Sequence, residues 1–367
     1  MQDTLIRIAA RKLATLVLTC AALPLCCSAQ QYLVTGLVAD QSGAAAATDP
    51  NLVNPWGLSR SSTSPWWASD NGTGLATLYD GTGAAKSLVV TIPTGDASMS
   101  STGTPSGTVY NGGTGFVLPD GKPAAFMFVT EDGTISGWNS GSSAVITVNT
   151  KSASVFKGVA LATLPIPYGS QSTFLYVADF RKGLIQVYDS SFNHINGIGE
   201  LFRDDFLPRG YAPFNVQNIG GELYVTFAKQ DAQKHDEVDG AGLGYVDVFS
   251  PFGFLLRRLE HGPWLNGPWA LAMAPGDFGI YSHDLLVGQF GSGQIAVYDP
   301  VTGAFKGLLD NSTNNPISID GLWALSFGSG GGSGPANTLY FSAGPDNEAH
   351  GLFGTITPIQ NTLGNSE

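Results

Sequence analysis

The residues of this chain that could do chemistry are acids and amides gathered at glycine-bounded turns. Asp70 and Asn71 precede Gly72, Glu131 and Asp132 precede Gly133, and Asp179 lies just before Arg181 and Gly183. Lys229 and Gln289 open two more such turns, and Asp346, Asn347, Glu348 and His350 lead into Gly351. Carboxylate and amide oxygens are ligands for a hard cation such as Ca²⁺ once several converge. Taken singly, each is also ordinary turn chemistry, chosen for local hydrogen bonding. The five histidines form no H-E-x-x-H zinc motif, and no G-x-S-x-G elbow is present. His350, with Glu348 two residues away, is the best general-base candidate among them. The segment 229–239 carries Asp231, Lys234, His235, Asp236, Glu237 and Asp239 without EF-hand spacing. It is expected to be a solvated, mobile loop.

Such turns matter only if the elements between them bring them together. Residues 175–189 read as strand, polar turn, strand, and the sentence recurs at 285–299 and 66–80. A second motif, bulky–small–apolar after a Pro or apolar residue, begins at Pro55, Pro105, Phe156, Pro213, Pro268 and Leu322. The steps of 50 to 57 residues approach the blade length of a β-propeller. High glycine (48 residues), 11% aromatics and only 13% charge agree with many short strands. No sustained helical period is visible.

Each unit parses into four strands, for example 56–59, 66–69, 75–79 and 87–92 in the first. The sixth unit lacks its outer strand, and a spare strand sits at 32–38. The predicted fold is therefore all-β, a six-bladed β-propeller with four-stranded blades, its last blade closed by the N-terminal strand. Small residues at the third motif position suit the crowded axis. Trp56, Trp269 and Trp323 beside them are expected to pack between blades. The Gly/Ser-rich stretch 328–334 is expected to be a flexible excursion between two strands of unit six.

Residues 1–29 read as a cleavable signal peptide: Arg7, Arg11 and Lys12, an apolar run at 13–25, and Cys27-Ser28-Ala29 before Gln30. The remainder, 30–367, is expected to be a single propeller domain, secreted or periplasmic. All three cysteines lie in the leader, so disulfides and thiol chemistry are excluded from the mature chain. That chain has a net charge of −14, which argues against nucleic acid and anionic membranes as partners. No membrane span is expected in it, and a monomer is.

The motifs at residues 54–58, 131–138, 223–229, 266–271 and 351–354 resemble an uncharacterised family of secreted bacterial propellers with NHL-like blades. Some of its members carry a PEP-CTERM sorting segment. The resemblance covers essentially the whole mature chain and implies a six-bladed propeller without assigned activity. Residues 362–367 carry no sorting tail, and residues 289–293 have amide and hydroxyl groups where the family pattern has Asn and Asp.

In a propeller the loops from strand D to A and from B to C share one face around the axis. The candidate ligand site on that face is Asp70, Asn71, Glu131, Asp132, Asp179, Arg181, Lys229, Gln289, Asp346, Asn347 and His350. Six-bladed calcium-dependent lactonases and phosphotriesterases hold an axial metal on Glu, Asn and Asp. The corresponding types here are Asn54, Glu131, Asn215 and Asp320, from four units. The leading expectation is a binding module for an envelope glycan or a protein. The alternative is a calcium-dependent lactonase or esterase.

Overall fold

The computed structural model describes residues 30–96, 98, 101–165 and 171–359. The signal peptide and cysteine expectations fall on residues outside this set. Six antiparallel sheets follow one another along the chain. Blade one runs Pro55–Ser59, Trp66–Asp70, Leu75–Tyr79 and Val90–Thr91, strands A to D from the axis outward. Blade two is Pro105–Tyr110, Phe126–Thr130, Thr134–Trp138 and Val145–Asn149. Blade four is Tyr211–Ile219, Glu222–Lys229, Gly244–Phe249 and Leu255–Arg258. Blade five is Pro268–Met273, Leu285–Gln289, Ile295–Tyr298 and Phe305–Leu308. The motif starts thus coincide with the inner strands, and the sheet order confirms a six-bladed propeller.

Blade six is closed from the other end of the chain. Leu322–Phe327, Leu339–Ala343 and Leu352–Pro358 supply strands A to C, and Gln31–Ala39 pairs antiparallel with the last of them. Tyr32 explains why this strand is held: its ring is 1% exposed, lies 4.9 Å from that of Phe278, and its hydroxyl donates to the Phe278 carbonyl. Blade three departs from the four-strand expectation. It has Phe156–Pro165, Gln171–Asp179 and Leu184–Tyr188, and no fourth strand among the described residues. The segment after Asp189 is rich in turn formers. It makes one bridge, Tyr188 to His194, and Ile195 N–H donates to Val187 before the chain turns into a short 3₁₀ helix, Gly199–Leu201.

Hydrophobic burial follows the ring. Six apolar clusters each join two neighbouring blades, such as Trp67 with Phe126 and Phe128 between blades one and two. A seventh lies on the axis. The motif itself is a β-bulge in every blade, because the register between strands A and B slips there six times. The bulge turns the bulky second residue toward the axis. The small third residue is needed for close approach. A Cβ on Gly57 would lie 2.7 Å from the Ser106 carbonyl, and one on Gly107 would lie 3.0 Å from Val159 N.

The Gly/Ser-rich loop of unit six is not a free excursion. Ser333 is buried, its carbonyl accepts a hydrogen bond from the Trp66 indole, and Gly81 N–H donates to Gly332. The loop is part of the joint between blades six and one. No helix among the described residues is long and apolar enough to cross a membrane.

Candidate functional site

The second motif residues are Trp56, Ser106, Lys157, Phe214, Trp269 and Trp323, one from each blade. They meet on the axis. Trp56 and Trp323 stack with ring centroids 3.7 Å apart, and Trp269 packs edge-on against both. Phe290 stacks on Trp323 and Phe214 lies beside it. This aromatic layer closes the axis just below the face that carries the D-to-A and B-to-C loops.

Lys157 is the one charged member of the ring, and its side chain has no exposed surface. Its ammonium lies 4.6 Å above the Trp56 ring, a cation–π contact. It also lies 2.5 Å from Glu131 Oε1 and 3.3 Å from Asp236 Oδ1. Burial works against the lysine charge, but Glu131, Glu237 and Asp236 outweigh it and raise its pKa. Glu131 sits in the B-to-C turn of blade two, and its other oxygen accepts from Asn71 Nδ2 at 2.8 Å.

Asp236 and Glu237 come from the loop after Lys229, which corrects the expectation of a mobile excursion. The loop is pinned by Asp231 N–H to the Asp236 carbonyl and Val238 N–H to the Lys229 carbonyl. Gly240 N–H donates to the Asn266 side chain, and Gln230 Nε2 to the Phe180 carbonyl. It thereby lays acids across the axis. His235 Nδ1 is 2.8 Å from Asp236 Oδ1. That contact raises the His235 pKa and holds Asp236 at about 2. Burial pushes Glu237 up to about 8, against the pull of Lys157. Burial also raises Glu348, whose Oε1 accepts from Asn54 Nδ2 at 3.0 Å.

Asn54 joins this group by strain. It adopts a left-handed backbone (φ 48°) and accepts the Trp323 indole N–H through Oδ1. Asp346, Asn347 and Glu348 are three consecutive left-handed residues (φ 57°, 54° and 66°). Such conformations cost energy in non-glycine residues and persist where surrounding contacts demand them. Asp320 helps by accepting the Asp346 N–H at 2.8 Å.

The other expected ligands are placed differently. Asp70, Asp179 and Gln289 are wholly buried at the ends of their B strands. Asp179 is held by Gln186 Nε2, and Gln289 accepts from Asn266 N–H, so both tie down loops and present nothing to a ligand. Asp132 caps the preceding loop through Thr94 and Gly95. Arg181 donates to the Ser152 carbonyl and Lys229 to that of Arg209. His350 pairs with Asp40 at 2.9 Å and anchors the end of the N-terminal strand. Asp346 and Asn347 remain exposed on the rim.

The four residues named for calcium each have their ligand groups committed to other partners. Asn54 is engaged by Glu348, Glu131 by Lys157, and Asp320 by the backbone of Asp346. Asn215 belongs to the inner wall, donating to the Trp269 carbonyl and accepting from Val216 N–H. A different trio, Glu131, His235 and Asp236, brings ligand atoms within 4.8 Å of one another. It includes an imidazole, whereas calcium takes oxygen donors, and the Lys157 ammonium already bridges its two carboxylates. These residues do not fit calcium.

Lys157, His235, Asp236 and Glu237 were missed as site residues by reading the sequence. One signal was available. Lys157 is the only charged residue at a motif position that other blades fill with Trp, Phe or Ser. A charge there had to meet the axis.

Two proteins of Acanthamoeba polyphaga mimivirus, uncharacterized proteins R648 and L690, are each 32% identical to this chain over 345 residues. The matches cover 90% of this chain and 81% and 86% of theirs. These relatives are viral and lend no support to the bacterial, surface-sorted part of the expected resemblance. No protein-family model matches the chain. Among solved structures, a protein of unknown function from Bacteroides thetaiotaomicron shares the fold with a TM-score of 0.53 at 11% identity, over 89% of this chain and 76% of its own. Virginiamycin B lyase from Staphylococcus aureus aligns over 90% of this chain and 100% of its own, with a TM-score of 0.46 and 12% identity.

Proposed function

The chain belongs to the family of mimivirus proteins R648 and L690, and we propose that it is a binding propeller that receives a basic side chain of a protein partner on its D-to-A face. The observation that carries this reading is the excess of acid around one lysine. Glu131, Asp236, Glu237 and Glu348 all act electrostatically on Lys157 or on each other, and His235 is a further basic group among them. Glu237 and Glu348 hold their protons more tightly than usual because they are desolvated and short of positive charge. An incoming ammonium or guanidinium supplies that charge. Of the two partner classes expected from the sequence, this face favours a protein over a glycan, since its under-neutralised groups are carboxylates. The hydrolase alternative loses its support with the calcium site. The leader-like pattern of residues 1–29 supports export of the chain, and a secreted or periplasmic location is part of the proposal.

The test is calorimetric titration of the purified chain with hexalysine at low salt. Saturable binding is expected, weakened severalfold by Glu348→Gln and by Glu237→Gln, and tighter as pH rises and Glu237 gives up its proton. Absence of binding, or binding indifferent to both variants, contradicts the reading.

A further inference from the structure

The aromatic layer that closes the D-to-A face leaves a blind channel behind it. This cavity has a volume of about 470 Å³ and is lined by inner-strand residues of all six blades, with Trp269 among its deeper ones. It extends to Arg60, Tyr110, Asn218 and Ser326, within one residue of the far ends of strands A, so it belongs to the face opposite the acidic cluster. Its size lies within the range of small-molecule sites, roughly 300–1,000 Å³.

The chemistry of the walls is specific. Strand A is the edge strand of its sheet in every blade, so one row of backbone N–H and C=O groups on each has no strand partner. Those rows offer donors and acceptors in alternation along the axis. Two polar side chains without a hydrogen bond to the described residues, Gln217 and Ser326, add to them; Ser59 and Thr108 bond to each other, and Asn218 is tied to the Leu161 carbonyl and the Gly221 N–H. Among the described residues no carboxylate lines the cavity, in a chain that is otherwise strongly acidic. Among the described lining residues the one ionic group is Arg60, and it is already committed to the carbonyls of Phe327 and Gly328. Tyr110 contributes an aromatic ring that is 38% exposed.

A cationic ligand finds no counter-charge here, and an anion finds only an occupied guanidinium. An apolar ligand would strip water from the backbone rows without replacing it. A hydroxyl-rich neutral molecule matches the pattern, because each hydroxyl both donates and accepts. A sugar also has an apolar face that packs on an aromatic ring. From this geometry we infer that the channel binds the end of a neutral oligosaccharide, with Gln217 and Tyr110 as its main side-chain contacts. The site is separate from the acidic face, and the failure of either leaves the other standing.

The experiment is titration of the full chain with three neutral probes, cellotriose, chitotriose and maltotriose, followed by calorimetry and by saturation-transfer NMR. At least one is expected to bind at a single site. Gln217→Ala removes a side chain that has no hydrogen bond to the described residues, so the fold is expected to persist, as its melting temperature will report. Loss of its contact should weaken binding about tenfold, and Tyr110→Ala should do the same. Glu348→Gln, on the opposite face, should leave it unchanged. No binding of any probe at millimolar concentration overturns the inference, as does binding unaffected by Gln217→Ala in a folded variant.

Discussion

The Nζ atom of Lys157 lies 2.5 Å from Oε1 of Glu131, and the two side chains are 0% and 9% exposed. One comes from the inner strand of blade three and the other from a turn of blade two, so the pair fastens two blades at the axis. Removing one partner of a buried pair leaves the other charge uncompensated. Lys157→Met is expected to lower stability by about 3–5 kcal/mol. Lys157→Met with Glu131→Gln should recover a large part of that loss. Urea unfolding of both variants checks this. Equal destabilisation by the single and double changes would mean that packing, not charge, sets the cost.

The acids around the pair predict a pH dependence with a definite sign. Glu237 is raised from its ordinary 4.5 to about 8, chiefly by burial. Between these values the folded chain keeps a proton that the unfolded chain has released. The stability this contributes is full below the unfolded value and is lost as pH rises through about 8. The raised pKa values of His235 and Glu348 act in the same direction. The unfolding free energy is therefore expected to fall from about pH 5 to pH 9, and Glu237→Gln should flatten the slope. An identical slope in wild type and variant would remove Glu237 from the explanation.

Ring closure makes the N-terminal strand part of the fold. Tyr32 is buried against Phe278 and bonded to its carbonyl, at the joint between blades five and six. Tyr32→Ala should cost roughly 3–5 kcal/mol, as for other large buried aromatics. Scanning calorimetry reads this directly. A melting temperature within error of wild type would show that the ring holds without its closing strand.

Much of this fold was legible because its signals are local and repeated. The bulge motif marks every inner strand, and the short apolar runs at 285–287 and 295–298 on either side of a Gly/Ser turn mark a hairpin without reference to anything distant. The closing strand could be inferred because residues 32–38 had no partner nearby and blade six lacked one. Blade three misled, since a turn-rich segment after Asp189 stands where a strand was counted. The site was less legible. Asp179 and Gln289 look like ligands in sequence, yet a turn acid serves equally to tie its own loop, and only burial separates the two roles. Lys157 and Asp236 are seventy-nine residues apart, and nothing local announces that the loop at 229–242 folds over the axis.

The claim on which the binding reading rests is that Lys157 is the buried cation at the axis of this face and that no calcium is needed there. The most direct measurement is the calcium content of the purified chain by elemental mass spectrometry, with melting followed after chelation and after calcium is restored. Expected are no stoichiometric calcium and one unchanged melting temperature. One calcium per chain, whose removal lowers the melting temperature in wild type but not in Glu131→Gln, would contradict the claim and restore the hydrolase alternative.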